Sequence, residues 1–206
     1  VVFEKGRVAE FFRTFPRHRR LISINKRHTG RGGHGQAMEH NLRHDWHSLL
    51  SHAAAENVDE ETLFRTVTGN KEYYPLADAL VWYNEQWVKH YNLTVRESSE
   101  VRRVSRAIEG SEHQWELRVE GKAVEDTTVV ACKWVLVATG LRKPHVPGGI
   151  LGLEKLSMAY NDMPTDPDFY ENKTVAIIGA GNAGFETFKA IMGSAAYVHI
   201  HAPSKL

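Results

Sequence analysis

Hydrophobic and polar positions alternate at two different periods along the chain. From Pro75 to Tyr91 the apolar residues recur at the spacing of one helix face, which predicts a helix. The stretches that follow, "LTVRESSEVRRVSRAI", "HQWELRVE" and "TTVVACKWVLVATG", alternate apolar and polar residues between turn-forming segments. They predict a small antiparallel β meander, whose last strand, Trp134 to Val137, we expect to return to a parallel sheet. The side chains of Trp82, Trp87 and Trp134 are expected in the core.

A glycine-rich turn follows the clearest apolar run near the end of the chain. Val175 to Ile178 has the pattern of a strand buried on both faces, and "GAGNAG" (179–184) comes directly after it. In this motif the first glycine permits a tight bend, the second lets a pyrophosphate approach the backbone, and the third lets the next helix pack against the strand. We expect that helix over Phe185 to Met192 and a second strand over Tyr197 to His201, within the length of one βαβ unit.

This spacing predicts a dinucleotide-binding site rather than a chance glycine turn, with the phosphates facing the free N–H groups at the start of the helix. The predicted binding residues are Gly179, Ala180, Gly181, Asn182 and Gly184. About 20 residues after such a turn, an acidic residue would bind the ribose of NAD. His201 and Lys205 lie in that region instead, so we expect a preference for NADP(H).

The first residues of the chain have the pattern of the second strand in another nucleotide-binding βαβ unit. Val1 to Phe3 are apolar, and Glu4 follows at the strand end, where an acidic residue meets a ribose. We therefore expect the sequence to be part of a longer chain, with both nucleotide-binding units incomplete.

Composition and charge narrow the classes of partner. The chain has 206 residues, 42% hydrophobic and 25% charged, with a formal net charge of +1, which is ordinary for a globular protein. No apolar run reaches the ~20 residues of a membrane span. The basic stretch from Arg13 to Arg31 has few aromatic residues for stacking on bases, so we expect no nucleic-acid binding and a solvated face for most of its arginines. The single cysteine, Cys132, is expected to be a small buried residue.

A group of histidines in the first quarter of the chain gives a weaker signal. His40, His44, His47 and Asp45 have spacings that one helix face could turn toward a metal ion. The alternative is a salt bridge between Arg43 and Asp45 that fixes a loop. We expect no metal centre.

Three stretches carry a resemblance to a known group of flavoproteins. "FFRTFPRHRRLISINKRHTG" (11–30), "NLRHDWHSLL" (41–50) and "VLVATGLRKPHVP" (135–147) resemble the FAD-dependent oxidoreductase domain-containing proteins, a group that includes an endoplasmic reticulum flavoprotein associated with protein degradation. The resemblance implies an α/β fold with two Rossmann-like dinucleotide-binding domains, for FAD and NAD(P), both truncated, and a small antiparallel β meander. Residues 1–143 would be the FAD-binding domain without its first βα unit, residues 144–172 the interdomain crossing, and residues 173–206 the start of the NAD(P)-binding domain.

The same resemblance implies roles for residues of the first domain. Glu4 would hold a ribose of FAD, and Arg13 is the cation whose spacing from Glu4 best suits the FAD pyrophosphate. Arg43 and Asp45 would orient the cofactor or the substrate. A backbone turn would pass directly beside FAD, which requires small residues. That turn consists of Ala138, Thr139 and Gly140.

More distantly, the chain is similar to the flavin-containing monooxygenases. Asn25, within "SINK", would lie near the flavin and is therefore one catalytic candidate. Asp45, in the flavin-domain segment "NLRHDW", is the other. The stretch "GLEKLSMAY" matches the interdomain motif of those enzymes at Gly152, Ser157 and Tyr160. Leu156 stands where they have His, which argues against oxygen insertion but leaves hydride transfer from NADPH to FAD.

The resulting expectation is an FAD-dependent NAD(P)H oxidoreductase. Hydride would pass from NADPH to FAD and then to an unknown small-molecule or protein acceptor, or to oxygen as in a monooxygenase. The alternative is a flavin-binding adaptor that recruits protein partners in endoplasmic reticulum protein degradation with little turnover. We expect residues 1–206 alone to bind FAD weakly and to be inactive. By resemblance, the expected location is the endoplasmic reticulum lumen or the cytoplasm.

Overall fold

The computed structural model describes residues 1–23, 46–49, 60–140 and 147–202. The chain divides into two units, the first made of Val1–Thr14 and Ser23–Thr139 and the second of Phe15–Ile22 and Gly140–Leu206. A segment from near the start of the chain therefore belongs to the second unit. Among the described helices, none is long and apolar enough to cross a lipid bilayer.

A short parallel strand pair opens the first unit. Strand β1 (Val2–Phe3) pairs in parallel with β2 (Val95–Arg96). Helix α1 (Glu10–Thr14) follows the turn after β1. The strand expected over Val1 to Phe3 is thus present, one residue shorter than predicted.

Two helices supply the core of the first unit, α2 (Phe64–Thr68) and α3 (Ala77–His90). The Tyr83 ring of α3 is buried and packs edge-on against the Phe64 ring, with 5.5 Å between ring centroids. The Tyr83 hydroxyl donates to the carbonyl oxygen of Thr62 at 2.8 Å and accepts the N–H of Leu49 at 2.9 Å. The helix predicted from the apolar period is therefore confirmed, with both ends slightly inside the predicted bounds.

The predicted antiparallel meander is also present in the first unit. Strands β3 (Glu100–Arg106), β4 (Trp115–Glu120) and β5 (Thr128–Cys132) lie in that order, with β4 in the middle. Leu117 and Val119 of β4 are buried. The alternation that predicted these strands reflects this one buried face.

The strand predicted at Trp134 to Val137 is not formed, because no described strand pairs with this stretch and the sheet ends at Cys132. Trp134 is 82% exposed, so its predicted core position is wrong. Trp82, at 44% exposure, also lies outside the core because the buried face of α3 points away from it. Trp87 is half-buried, and Cys132 is half-buried rather than fully buried.

The second unit contains a parallel strand pair with a helix between the strands. Strand β6 (Thr174–Ile178) pairs with β7 (Tyr197–His201), following the short helix α4 (Leu153–Leu156). Helix α5 (Asn182–Ile191) connects β6 to β7. The core of the second unit contains the buried side chains of Met163, Tyr170 and Ile191. Short 3-10 helices occur in the two units at Glu60–Thr62, Val124–Asp126 and Pro167–Tyr170.

We expect Tyr83→Phe to lower the free energy of unfolding by about 1–3 kcal/mol, because it removes the hydroxyl that bonds the buried carbonyl oxygen of Thr62 and the partly buried N–H of Leu49. Trp82→Phe, on the exposed side of the same helix, should change it by less than about 0.5 kcal/mol. Urea unfolding followed by circular dichroism compares the two. Equal effects of both substitutions would contradict the assignment of Tyr83 to the core.

Candidate functional site

The glycine turn after β6 begins with a residue in a conformation that suits glycine. Gly179 has a φ of +111°, and its N–H donates to the carbonyl oxygen of His201 at 2.8 Å. Helix α5 begins at Asn182, directly after Gly181, which is three residues earlier than the start predicted at Phe185. The difference arises because the last residues of the turn are already helical.

The third glycine brings the helix against the strand. A Cβ atom on Gly184 would lie 2.3 Å from the carbonyl oxygen of Gly179, a distance that real Cβ atoms do not adopt. A Cβ atom on Gly181, by contrast, would meet no atom within 4 Å. Gly184 is therefore required for packing, whereas the space beside Gly181 is open to a ligand.

The start of α5 has the electrostatics of an anion site. Its first N–H groups have no partner inside the helix, and the helix dipole places partial positive charge there. No side chain caps the helix at Gly181, and the first turn carries no acidic residue. The turn can thus accept a phosphate through backbone N–H groups, without a competing carboxylate in the first turn.

The end of β7 carries imidazoles on its outer face. His201 lies opposite Ile178 in the strand pair, at the same end of the sheet as Gly179. The ring centroids of His199 and His201 are 6.4 Å apart. Both residues are exposed, and the described part of β7 contains no acidic residue. The structure therefore brings the predicted residues Gly179, Ala180, Gly181, Asn182, Gly184 and His201 together at one end of a strand pair.

A second cluster in this unit was missed by sequence reasoning. The Tyr160 hydroxyl accepts the backbone N–H of Arg17 at 3.2 Å and donates to Oε2 of Glu186 at 3.4 Å. Burial raises the pKa of the Glu186 carboxyl, and the hydrogen bond from Tyr160 opposes that rise. Burial also raises the pKa of the Tyr160 hydroxyl. The contribution of Glu186 to stability is therefore largest at low pH and falls as the pH rises through its folded-state pKa.

Arg17 in this cluster corrects the prediction of a solvated arginine face. Its side chain is half-buried, and Nη2 donates to the carbonyl oxygen of Met163 at 2.6 Å. The only sequence signal for the cluster was Tyr160, which matches the interdomain motif of flavin-containing monooxygenases. Nothing in the local pattern indicated that Arg17 would meet it.

Glu4, at the end of β1, is held in a defined orientation. Its carboxylate Oε1 accepts the N–H of Gly6 at 2.8 Å, and its carbonyl oxygen accepts the N–H of Ser99 at 2.9 Å. The turn is closed further by Glu97, whose Oε1 accepts the N–H of Val8 at 2.7 Å. Glu97 is a second residue that sequence reasoning missed, because its contact joins two segments far apart in the chain.

Arg13 makes protein contacts of its own. Its Nη2 donates to Oε1 of Glu85 at 2.5 Å, and its Nε donates to the carbonyl oxygen of Val8 at 3.2 Å. Neither bond uses Nη1, so the predicted role at a pyrophosphate stays a prediction that this geometry permits. The turn at Ala138, Thr139 and Gly140 is exposed, and Gly140 has a φ of +64°.

Several predicted residues lie outside the described residues. They are Asn25, Arg43, Asp45 and Lys205, together with His40 and His44 of the histidine group. His47 is described and buried, with its ring centroid 5.2 Å from that of Phe64. Across the part of the chain that the structure describes, no three His, Cys, Asp or Glu side chains form a metal-binding group.

Comparison with known proteins identifies the family. The pyridine nucleotide-disulphide oxidoreductase family matches residues 1–205. The FAD-dependent oxidoreductase domain-containing protein 2 of Danio rerio is 36% identical over 194 residues, 94% of this chain and 26% of the relative. Its Mus musculus counterpart is 34% identical over 209 residues, 100% of this chain and 29% of the relative. The chain thus spans less than a third of these relatives, and the resemblance to their group is confirmed.

A solved structure supports the fold. The bacillithiol disulfide reductase of Bacillus cereus matches with a TM-score of 0.59 at 17% identity, covering 100% of this chain and 53% of that one. At this identity the likeness extends to the fold alone. It agrees with the mixture of parallel strand pairs, helices and an antiparallel sheet described above.

Two glycine substitutions should separate packing from ligand space. Gly184→Ala places a methyl group against the Gly179 carbonyl, and we expect it to lower the free energy of unfolding by about 1–3 kcal/mol despite the better helix propensity of Ala. Gly181→Ala adds the same methyl group into open space and should leave stability within about 0.5 kcal/mol. Thermal unfolding measures both. An unchanged free energy of unfolding in Gly184→Ala would contradict the close approach of helix and strand.

Proposed function

The chain belongs to the pyridine nucleotide-disulphide oxidoreductase family, and we propose that it forms part of an FAD-dependent oxidoreductase in which hydride passes from NADPH to FAD. The observation that carries the proposal is the turn from Gly179 to Gly184, with open space at Gly181 and uncapped N–H groups at the start of α5. This geometry fits a dinucleotide pyrophosphate.

In this proposal the second unit binds NADPH. The N–H groups at the start of α5 donate to the pyrophosphate, and the space at Gly181 lets the phosphates approach the backbone. The imidazole of His201, with Lys205 beyond it in the sequence, faces the ribose 2′-phosphate. No carboxylate on the described part of β7 would repel that phosphate.

The first unit binds FAD, which supplies the redox chemistry when bound. Glu4 fits a ribose because the bond from Gly6 fixes one carboxylate oxygen and leaves Oε2 to accept ribose hydroxyls. Arg13 can donate to a phosphate through Nη1, which neither its ion pair with Glu85 nor its bond to Val8 uses. The exposed backbone at Thr139 and Gly140 allows close approach to a flat cofactor. The protein residues position NADPH and FAD for hydride transfer. The molecule that FAD reduces next is a small molecule, a protein or oxygen.

The other candidate is a flavin-binding adaptor. It would keep the same cofactor contacts but recruit a protein partner, with little turnover. The two candidates differ in one measurable property, which is the rate at which NADPH reduces the bound flavin.

We expect the natural protein that carries this sequence to show a flavin absorption band that bleaches within seconds of adding NADPH without oxygen. Gly181→Ala should slow bleaching at limiting NADPH by at least about tenfold, because the methyl group occupies the space for the pyrophosphate. A stopped-flow spectrophotometer measures both rates. A flavin band that persists with NADPH would contradict the oxidoreductase and favour the adaptor, whereas purified protein without flavin would contradict both.

The cofactor preference depends on the end of β7. His201→Glu places a carboxylate where the ribose binds, so we expect the ratio of kcat/KM for NADPH to that for NADH to fall at least about tenfold, or ~1.4 kcal/mol. Tyr197→Glu is the matched control, since it adds the same charge to the same exposed face about 13 Å away along the strand. An unchanged ratio for His201→Glu would contradict the placement of the 2′-phosphate.

A further inference from the structure

The segment Phe15–Ile22 is anchored within the second unit by hydrogen bonds from Arg17. The Arg17 side chain donates to the Met163 carbonyl oxygen at 2.6 Å, and its backbone N–H donates to the Tyr160 hydroxyl at 3.2 Å. The Phe15 ring stacks on the Tyr160 ring, with 6.3 Å between centroids and 23° between planes. Tyr160 is therefore held on one side by this segment.

The other side of Tyr160 faces helix α5. Its hydroxyl donates to Oε2 of Glu186 at 3.4 Å, and Glu186 lies two residues after Gly184. The next residue, Thr187, donates to the sulfur of Met163 at 3.6 Å. One hydroxyl thus accepts from the anchored segment and donates to the helix that begins at the glycine turn.

We propose that Tyr160 is a positioning residue for NADPH binding, because its hydroxyl links the Arg17 backbone to Glu186 and so fixes the orientation of α5. The proposal rests on the proposed function of the glycine turn. The contact of Gly184 with Gly179 sets the distance of the helix from the strand. Burial of Ile191 and the contact of Thr187 with Met163 also hold the helix. The Tyr160 hydroxyl adds a polar restraint on rotation of the helix about its axis at Glu186, nearer the glycine turn than either of these contacts.

Orientation matters at this helix because the N–H groups at its start must converge on the phosphates. A small rotation would misalign these donors without unfolding the unit. Loss of the Tyr160 hydroxyl therefore weakens binding of NADPH, while the hydride transfer step in the saturated complex keeps its rate. This separation distinguishes positioning from a purely structural role, which would change stability alone.

The chain offers a matched control in Tyr170. Its hydroxyl donates to the Pro164 carbonyl oxygen at 2.8 Å, and its ring is buried in the same cluster as Met163 and Ile191. Tyr170→Phe removes the same atom from the same core, but that atom makes no hydrogen bond to α5. Both Tyr→Phe variants should lose comparable stability, so a difference in NADPH binding reports on the Tyr160 contact.

The test measures the dissociation constant for NADPH and the limiting rate of flavin reduction in the natural protein that carries this sequence. Tyr160→Phe should raise the dissociation constant about three- to tenfold, the range expected for one hydrogen bond, and change the limiting rate less than about twofold. Tyr170→Phe should leave both within about twofold. Unchanged binding by Tyr160→Phe, or equal weakening by both variants, would overturn the proposal.

Variants of Glu186 complete the test. Glu186→Gln keeps a side-chain oxygen that accepts from Tyr160, and should bind NADPH as tightly as the unchanged protein. Glu186→Ala should weaken NADPH binding as much as Tyr160→Phe does. The variant that combines Tyr160→Phe with Glu186→Ala should bind NADPH no more weakly than either single variant. Additive losses would overturn the link between the two residues. If the unchanged protein binds no NADPH, the proposed function fails. If the unchanged protein binds NADPH but the dissociation constants of the Tyr160 and Glu186 variants do not change as expected, only the positioning role fails.

Discussion

The close approach of Gly184 to the carbonyl oxygen of Gly179 is the constraint on which the second unit depends. Because a Cβ atom would lie only 2.3 Å from that oxygen, no other residue permits the helix to lie so near the strand. The approach directs the start of α5 toward the end of the strand pair. The parallel register then brings His201 to the same end, where its carbonyl accepts the N–H of Gly179. The packing contact and the parallel register thus bring together the groups proposed to bind a dinucleotide.

Around this contact, the second unit is stabilised by a core that joins residues distant in sequence. Met163, Tyr170 and Ile191 are buried together, and Val175, Ile177 and Val198 of the strand pair pack against them. Arg17 and Tyr160 attach an early segment of the chain to this core. The partly buried Glu186 carboxyl is tolerated because Tyr160 donates to it, although burial still raises its pKa. Packing and polar contacts therefore act on the same helix whose start forms the candidate site.

The sequence predicted the features that short stretches of chain encode. The glycine turn was predictable because three glycines at fixed spacing meet three separate geometric demands, and the meander because one face of β4 is buried. Prediction failed where a residue depends on a distant partner. The stretch from Trp134 to Val137 has the composition of a strand, but it pairs with no strand in the described part of the chain. Arg17 lies in a basic stretch with the composition of a solvated face, but its side chain donates to the carbonyl oxygen of Met163, 146 residues away. The catalytic candidates Asn25 and Asp45 lie outside the described residues and stay predictions.

The central claim is that the glycine turn and the start of α5 hold the dinucleotide. Amide hydrogen exchange, measured by mass spectrometry on the natural protein with and without NADPH, tests it directly. The account predicts slower exchange in the presence of NADPH in peptides covering Gly179 to Glu186, because the N–H groups at the start of the helix acquire phosphate acceptors. Peptides of the meander, β3 to β5, serve as the internal reference and should not change. Unaltered exchange at the turn under saturating NADPH would contradict the account.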